Sequence, residues 1–349
     1  MSRAWAVLLA AVLISGVCLA ERPPGQQALF DAQDKVKGKT IEEAAQIYRE
    51  EVIEAFPGTL YAGQALINIG SLHMTAKQWD EAIKLNDQVL KEYGSTYLAS
   101  QCVRRRFAIL NYGLGKPQEA LSALEADMET YLGRVPAKDL HWFAAYRYDA
   151  HKTLGDPEKA LQVLEEAMLT TPQVLDSWEV ARRYVKALQA AKRHDEAQCA
   201  AKAFYACCKF AQADIKNAAD LVVRSLTSAG EVFKANGFVA AQDDPDRDNP
   251  LKDVPWPQID SDEKWQALMQ KCKGDAHLQI VALLHFGDYE QALELAVVRL
   301  GEARGNDAIT ASVNDIARCF KAKDLNLTRA NQFIEYAKTG EGDNPLREF

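Results

Sequence analysis

Cysteine is the residue whose type and spacing most directly suggest chemistry in this chain. Cys207 and Cys208 are adjacent, and Cys199 precedes them by about two helical turns. Thiols held this closely could exchange electrons or bind a soft metal ion. Cysteine is also a small apolar residue that is commonly buried between helices, and the sequence favours this structural interpretation.

The cysteines do not follow the spacing of a disulfide framework. Six of the seven follow residue 20: Cys102, Cys199, Cys207, Cys208, Cys272 and Cys319. One disulfide stays open as an alternative, joining Cys272 to a member of the cluster from Cys199 to Cys208.

Two further sets of residues could bind a metal ion. The acidic stretch 243–248 (DDPDRD) offers the oxygen ligands that calcium prefers, but it lacks the glycine and the closing glutamate of an EF-hand. The histidines are scattered, and His141 and His151 lie closer to opposite faces of a helix than to a shared one. We therefore predict no metal and no cofactor.

Catalytic motifs are absent from the sequence. It contains no Walker loop, no dinucleotide-binding glycine pattern, no Gly-x-Ser-x-Gly and no His-Glu-x-x-His. An enzyme can assemble its site from scattered residues, but the repeats described below leave little room for a separate catalytic domain. We predict that the protein is not an enzyme.

Composition and charge narrow the class of protein. Hydrophobic residues make up 48% of the 349 residues and only 12 are proline, which favours an all-α fold. The chain carries 41 basic and 49 acidic residues, a net charge of −8. This balance disfavours nucleic acid and anionic membranes as partners.

The N-terminus has the pattern of a secretory signal peptide. Arg3 precedes an uncharged apolar run that closes on small residues at Ala20. A run of this length falls short of the roughly 20 residues that a spanning helix needs, so cleavage is favoured over an uncleaved anchor. Residues 1–20 are thus predicted to be removed, leaving an exported, periplasmic or secreted protein with no transmembrane segment.

A short phrase recurs along the rest of the chain. Its clearest copies are 115–121 (GKPQEAL), 155–161 (GDPEKAL) and 287–293 (GDYEQAL), each with an alanine before the last residue. The equivalent alanines follow one another at steps of 38, 38, 40, 37, 95 and 38 residues. They are Ala44, Ala82, Ala120, Ala160, Ala197, Ala292 and Ala330.

This phrase resembles the start of the second helix of the tetratricopeptide repeat (TPR). Alanine suits that position because two helices of one repeat cross closely there. The resemblance implies an all-α, right-handed α-solenoid of helical hairpins with a concave surface lined by the first helices. The turns near residues 56–62 and 93–96 are also similar in style to those of bacterial envelope lipoproteins and cell-division accessory proteins.

The 95-residue step marks an interruption. Residues 215–235 are predicted to form an amphipathic helix with Phe233 on its apolar face, so part of another repeat occupies the first half of this interval. The four prolines from Pro245 to Pro257 exclude a regular helix in the second half. We predict an N-terminal array at 26–236, a loop or linker at 237–261 and C-terminal repeats at 262–349.

The resemblance also implies a partner-binding groove. Counting from the alanines places a basic and aromatic set of residues on the first helices, suited to an acidic or C-terminal peptide of another protein. The set comprises Arg105, Tyr112, Trp142, Asp149, Lys152, Arg182 and Lys186. Alternatively, Arg104, Arg105 and Arg106 could simply solvate a helix.

Together these observations predict an exported helical-repeat scaffold that mediates protein–protein interaction in a bacterial cell envelope. The alternative is a cysteine-based redox or metal-binding protein built on the same repeats. The oligomeric state is not indicated by the sequence.

Overall fold

The computed structural model describes residues 22–131, 133, 139–208, 212–244, 247–342 and 344–348. This part of the chain forms seventeen α-helices and no β-strand, which confirms the all-α class. None of the described helices is long and apolar enough to cross a bilayer. The predicted signal peptide, residues 1–20, lies outside the described residues.

The chain divides into two compact units. The N-terminal unit ends at Ala160 and the C-terminal unit begins at Leu161. This division falls inside a helix, whereas the sequence suggested a break at 237–261. That proline-containing segment instead lies within the C-terminal unit.

Helices of the N-terminal unit form successive hairpins in which each helix packs against the next. A wider π-turn extends α2 through Arg49–Ile53, and another extends α5 through Ile109–Gly113. The helices are α1 (Pro24–Lys35), α2 (Ile41–Tyr48), α3 (Leu60–Thr75), α4 (Trp79–Tyr93), α5 (Leu98–Ala108), α6 (Pro117–Tyr131), α7 (His141–Thr153) and the start of α8 (Pro157–Thr170).

The C-terminal unit continues the same pattern after α8. A short 3₁₀ turn at Pro250–Asp253 and a single helix, α13, separate its hairpins. The helices are α9 (Trp178–Ala190), α10 (His194–Cys207), α11 (Gln212–Ser228), α12 (Val232–Asp243), α13 (Asp262–Lys271), α14 (Ala276–His285), α15 (Tyr289–Glu302), α16 (Asn306–Asp324) and α17 (Thr328–Thr339).

The recurring alanines occupy the predicted positions. All seven lie in the second helix of a hairpin, and none is more than 1% exposed. A larger side chain there would push the two helices apart. The helical-hairpin repeat predicted from the sequence is therefore confirmed.

A left-handed backbone residue precedes the buried alanine by five positions in six of these repeats. These residues have a positive φ, a conformation that glycine adopts at low cost. Three of them are not glycine: Lys77, Lys192 and Leu325. The same feature identifies the second helix and the alanine of the repeat that the sequence predicted only in part. Gly230 has φ of 83°, and Ala235, five residues later, is 3% exposed.

This eighth repeat corrects the prediction for residues 215–261. Ala235 follows Ala197 by the usual 38 residues, and α12 continues through Gly237 to Asp243. The buried stripe of α12 consists of Ala235, Phe238 and Ala241, so Phe233 lies on the opposite side and is 94% exposed. Its assignment to the apolar face was wrong because the helix register is set by Ala235.

The irregular segment 247–261 packs against helices of the C-terminal unit, within which it lies. The Asn249 amide donates a 2.7 Å hydrogen bond to the carbonyl oxygen of Leu325. The buried Lys202 ammonium donates to the carbonyl oxygen of Val254 and lies 4.5 Å from the ring centroid of Trp256. Contacts from α10 and α16 therefore hold the segment in place.

Candidate binding surface and buried polar groups

Three consecutive arginines of α5 contact four neighbouring helices. The Arg105 guanidinium donates to the carbonyl oxygen of Ile67 and, at 2.6 Å, to the hydroxyl of Ser71, both on α3. Arg106 donates to Asp127 of α6 at 2.7 and 3.0 Å, and also to Asp87 of α4. These two arginines therefore connect α5 to its neighbours, so they do not serve only to solvate the helix.

The third, Arg104, lies over an aromatic ring. Its guanidinium carbon is 4.1 Å from the centroid of the Trp142 ring on α7. Trp142 in turn packs 5.8 Å from Tyr146, whose ring stacks on Phe107 of α5 at 4.5 Å. A cation over an indole face is a stabilising arrangement, and here both groups stay half-exposed.

Tyr112 and Asp149 form a second contact between the same two helices. The Tyr112 hydroxyl donates to the Asp149 carboxylate, and the Tyr112 side chain is 56% exposed. The π-turn at Ile109–Gly113 carries Tyr112, and such turns are frequent at functional sites. Gly113 allows the turn to approach Trp79, since a Cβ there would lie 3.1 Å from Trp79 Cε2.

Contacts between first helices recur at the spacing of one repeat. Gln101 donates to Gln64, 37 residues earlier, at 3.3 Å. Arg104 contacts Trp142 and Tyr112 contacts Asp149 at separations of 38 and 37 residues. Equivalent positions of successive first helices therefore line one surface of the N-terminal unit. We call its members Arg104, Tyr112, Trp142, Asp149 and Lys152 the first-helix strip.

Lys152 of the first-helix strip is exposed, with its ammonium 6.0 Å from the Tyr148 ring. Two further predicted residues lie in the other unit. Arg182 and Lys186 are exposed on α9 of the C-terminal unit, where Arg182 forms a 3.3 Å ion pair with Glu179. Sequence counting identified Arg105 and missed Arg104, although the 38-residue step to Trp142 would have identified it.

The cysteine cluster is mostly buried. All six described thiols are free, so the disulfide considered for Cys272 is absent from this structure. Only Cys199 is partly exposed. Burial raises the pKa of Cys102 to about 12 and that of Cys272 to about 11, and it also raises the pKa of Cys207. Thiols with raised pKa are poor nucleophiles because little thiolate is present.

Helix α10 explains this burial. Nearly every residue from Ala197 to Cys207 is buried, because α10 packs against α9, α11, α14 and α16 of the C-terminal unit. Its many alanines allow such close contact on all sides. The predicted structural role of Cys207 and Cys208 agrees with this packing.

A charged cluster on α14–α16 was not predicted. His277 Nδ1 lies 2.8 Å from Asp315 Oδ1, and Arg299 pairs with the other oxygen of Asp315. Arg318 Nη1 lies 3.5 Å from Asp176 Oδ2. Burial lowers the pKa of His277, but hydrogen bonds with Asp176 and Asp315 outweigh it, so the pKa is raised overall. The cluster thus joins α14, α15 and α16 to the turn before α9.

Within the described ranges, no group of three or more His, Cys, Asp or Glu side chains could hold a metal ion. Of the acidic stretch 243–248, Asp248 forms a 3.5 Å ion pair with Lys252. Residues 245 and 246 lie outside the described part of the chain.

Comparison with known proteins gives only distant likeness. No family model matches the chain, and no curated protein matches it. A TPR protein from Parabacteroides merdae is 12% identical, covers 85% of this chain and 99% of its own, and superposes with a TM-score of 0.39. The complex of Naa15 and Naa10 bound to HypK-THB is 21% identical, with coverage of 90% and 52% and a TM-score of 0.29. The TPR-like character of this chain is carried by its own hairpins, with their buried alanines and left-handed turns.

Proposed function

We propose that this protein is an exported scaffold that binds an acidic segment of another protein along the first-helix strip. The observation that carries the proposal is the Arg104–Trp142 contact, which presents a cation and an aromatic face together on a solvent-accessible surface. Guanidinium groups pair well with carboxylates, and aromatic side chains supply contact area at little entropic cost.

The rest of the strip supports this proposal. Tyr112 and Trp142 are aromatic residues of the type enriched in protein interfaces, and Lys152 adds an exposed positive charge. The protein as a whole is acidic, so a local basic strip would steer an acidic partner to it. Arg182 and Lys186, exposed on α9 of the C-terminal unit, form a separate candidate surface. We propose no catalytic role for any of these residues.

Photo-crosslinking tests where a partner binds. A photo-reactive amino acid is introduced in place of Tyr112 or Lys186, and the protein is irradiated in the envelope of its native cells. Position Thr130, exposed on the second helix α6, serves as the matched control. We expect one partner to be crosslinked from 112 and not from 130. Equal crosslinking from both positions, or from neither, would contradict the groove assignment.

Charge reversal tests the chemistry of the partner. Arg104→Glu combined with Lys152→Glu should reduce the captured partner at least tenfold and weaken the dependence of capture on salt concentration. Lys91→Glu, an exposed lysine of α4, is the control for net charge. If the double variant captures as much partner as the Lys91→Glu control, the acidic segment is not recognised by this strip.

The cysteine-based alternative has a separate test. Burial and raised thiol pKa values argue against a redox function for four of the six thiols, Cys102, Cys207, Cys272 and Cys319. Thiol counting by mass spectrometry on exported protein, with elemental analysis for bound metal, distinguishes the two functions. Six slowly reacting thiols with no metal would support the scaffold, whereas a stoichiometric metal or a rapidly cycling pair would support the alternative.

A further inference from the structure

A lysine amine and a cysteine thiol meet inside the C-terminal unit. Lys321 of α16 is fully buried, and Cys208, directly after α10, is 8% exposed. Lys321 Nζ lies 3.0 Å from Cys208 Sγ and 2.8 Å from the Cys208 carbonyl oxygen. The two residues are 113 positions apart in sequence, so the fold alone brings them together.

The surroundings favour reaction of the amine. The Tyr205 ring lies 5.6 Å from Lys321 Nζ, and Arg318, another buried cation, is on the same helix. Burial lowers the pKa of Lys321, and the nearby Arg318 charge adds to this effect. A lowered pKa increases the share of neutral amine, which is the nucleophilic form.

We propose that Cys208 and Lys321 are a modification site that hydrogen peroxide converts into a covalent sulfur–nitrogen crosslink. In the first step the Cys208 sulfur attacks one peroxide oxygen, the O–O bond breaks, and sulfenic acid and water form. In the second step the neutral Lys321 amine attacks that sulfur, the S–O bond breaks, and the hydroxyl group leaves with a proton as a second water. Sulfur is oxidised by two electrons and the peroxide is reduced.

The neighbouring thiols are turned toward other groups. Cys207 Sγ lies 3.6 Å from the carbonyl oxygen of Val281, and Cys319 Sγ lies 3.2 Å from that of Asp315. Lys321 Nζ is therefore the nucleophile already in contact with Cys208 Sγ. The crosslink would tie the end of α10 to α16 and close a loop of more than one hundred residues, which restricts the unfolded chain.

Peptide mapping of the whole protein tests the site. The protein is treated with hydrogen peroxide, remaining thiols are alkylated, and the protein is digested without reductant. Trypsin cannot cleave after a lysine whose amine is bound to sulfur. We expect one peptide pair joined through Cys208 and Lys321, lighter by two hydrogens than the sum of its parts, and separated by dithiothreitol. The oxidised protein should also melt several degrees higher until it is reduced.

Two variants and one condition complete the test. Cys207→Ser should keep the crosslink, while Lys321→Arg should lose it and leave a sulfenic acid that dimedone traps at Cys208. Treatment in denaturant should give no crosslink, because the contact is tertiary. A Cys207–Cys208 disulfide, or Cys208 sulfinic acid without the joined peptides, in peroxide-treated native protein would overturn the proposal. The mapping uses the unaltered chain, so a Lys321 variant that fails to fold does not affect it.

Discussion

The indole ring of Trp256 lies against Gly287, at the turn between α14 and α15. A Cβ added at Gly287 would lie 2.5 Å from Trp256 Cγ, and the residue also has a φ of 88°. Gly287 therefore meets two separate requirements: a left-handed backbone and room for a neighbouring ring. The contact joins the segment 247–261 to the hairpin formed by α14 and α15.

Substitution of this glycine should be unusually costly. Gly230 has a similar φ of 83° but faces open space, so Gly230→Ala isolates the cost of the backbone, about 1–2 kcal/mol. Gly287→Ala should cost about 1–3 kcal/mol more because the Trp256 ring must move. Urea unfolding followed by circular dichroism measures both. Equal losses in the two variants would show that Trp256 adapts without cost.

The recurring alanines lead to a second prediction. Ala120 is fully buried in α6, where α5 crosses, and Ala126 on the same helix is exposed. Ala120→Leu should lower the free energy of unfolding by about 1–3 kcal/mol because it overpacks the hairpin. Ala126→Leu should change it by less than about 0.5 kcal/mol. Thermal unfolding of the two variants gives the comparison, and similar melting temperatures would contradict the role of the alanine.

Arg106 provides a third prediction, because its two carboxylate partners differ in burial. The Asp127 side chain is 8% exposed and that of Asp87 is 52% exposed. Asp127→Ala should cost about 2–4 kcal/mol, since it removes two hydrogen bonds from a largely buried guanidinium. Asp87→Ala should cost less than about 1 kcal/mol. Chemical denaturation distinguishes them, and a larger loss from Asp87→Ala would reverse this ranking.

Much of the fold could be predicted from local sequence because each repeat carries its own signal. The alanine phrase identified seven second helices, and the positive φ at Gly230 shows that the eighth had the same signal. It was missed because Phe233 stands where the clearest copies have a polar residue, and Asn236 stands where they have the leucine after the alanine. Phe233 was predicted to lie in the core because aromatic residues in helices are commonly buried.

Contacts between distant segments were harder to predict. Asn249 and Leu325 are 76 residues apart, and nothing in the spacing of either residue indicates that the segment 247–261 would contact the residue that ends α16. His277 and Asp315 are 38 residues apart, one repeat length, so this pair could have been inferred from the register. The same 38-residue step, counted back from Trp142, would have identified Arg104. Counting from the alanines pointed to Arg105 instead.

Two histidines of the C-terminal unit should affect stability in opposite directions as the pH changes. His285 is 2% exposed, packs 5.2 Å from Phe204, and has a pKa that burial lowers to about 4. In the unfolded chain the pKa of His285 has its ordinary value near 6.5. Between about pH 4 and 6.5 the unfolded chain therefore binds a proton at His285 that the folded chain does not. His285 should therefore remove stability as the pH falls from about 6.5 to about 4, by roughly 3 kcal/mol at most.

The raised pKa of His277 has the opposite sign. Its ion pairs stabilise the fold fully below the unfolded pKa of about 6.5, and that stability is lost as the pH rises through the folded value. His277→Gln should thus lower the melting temperature more at pH 5.5 than at pH 8. His285→Phe keeps an aromatic ring in the same pocket. Compared with the unaltered protein, its melting temperature should be more favourable at pH 5 than at pH 8. If both variants shifted the pH profile in the same direction, one of the two assignments would be wrong, and NMR titration of the ring protons would identify which.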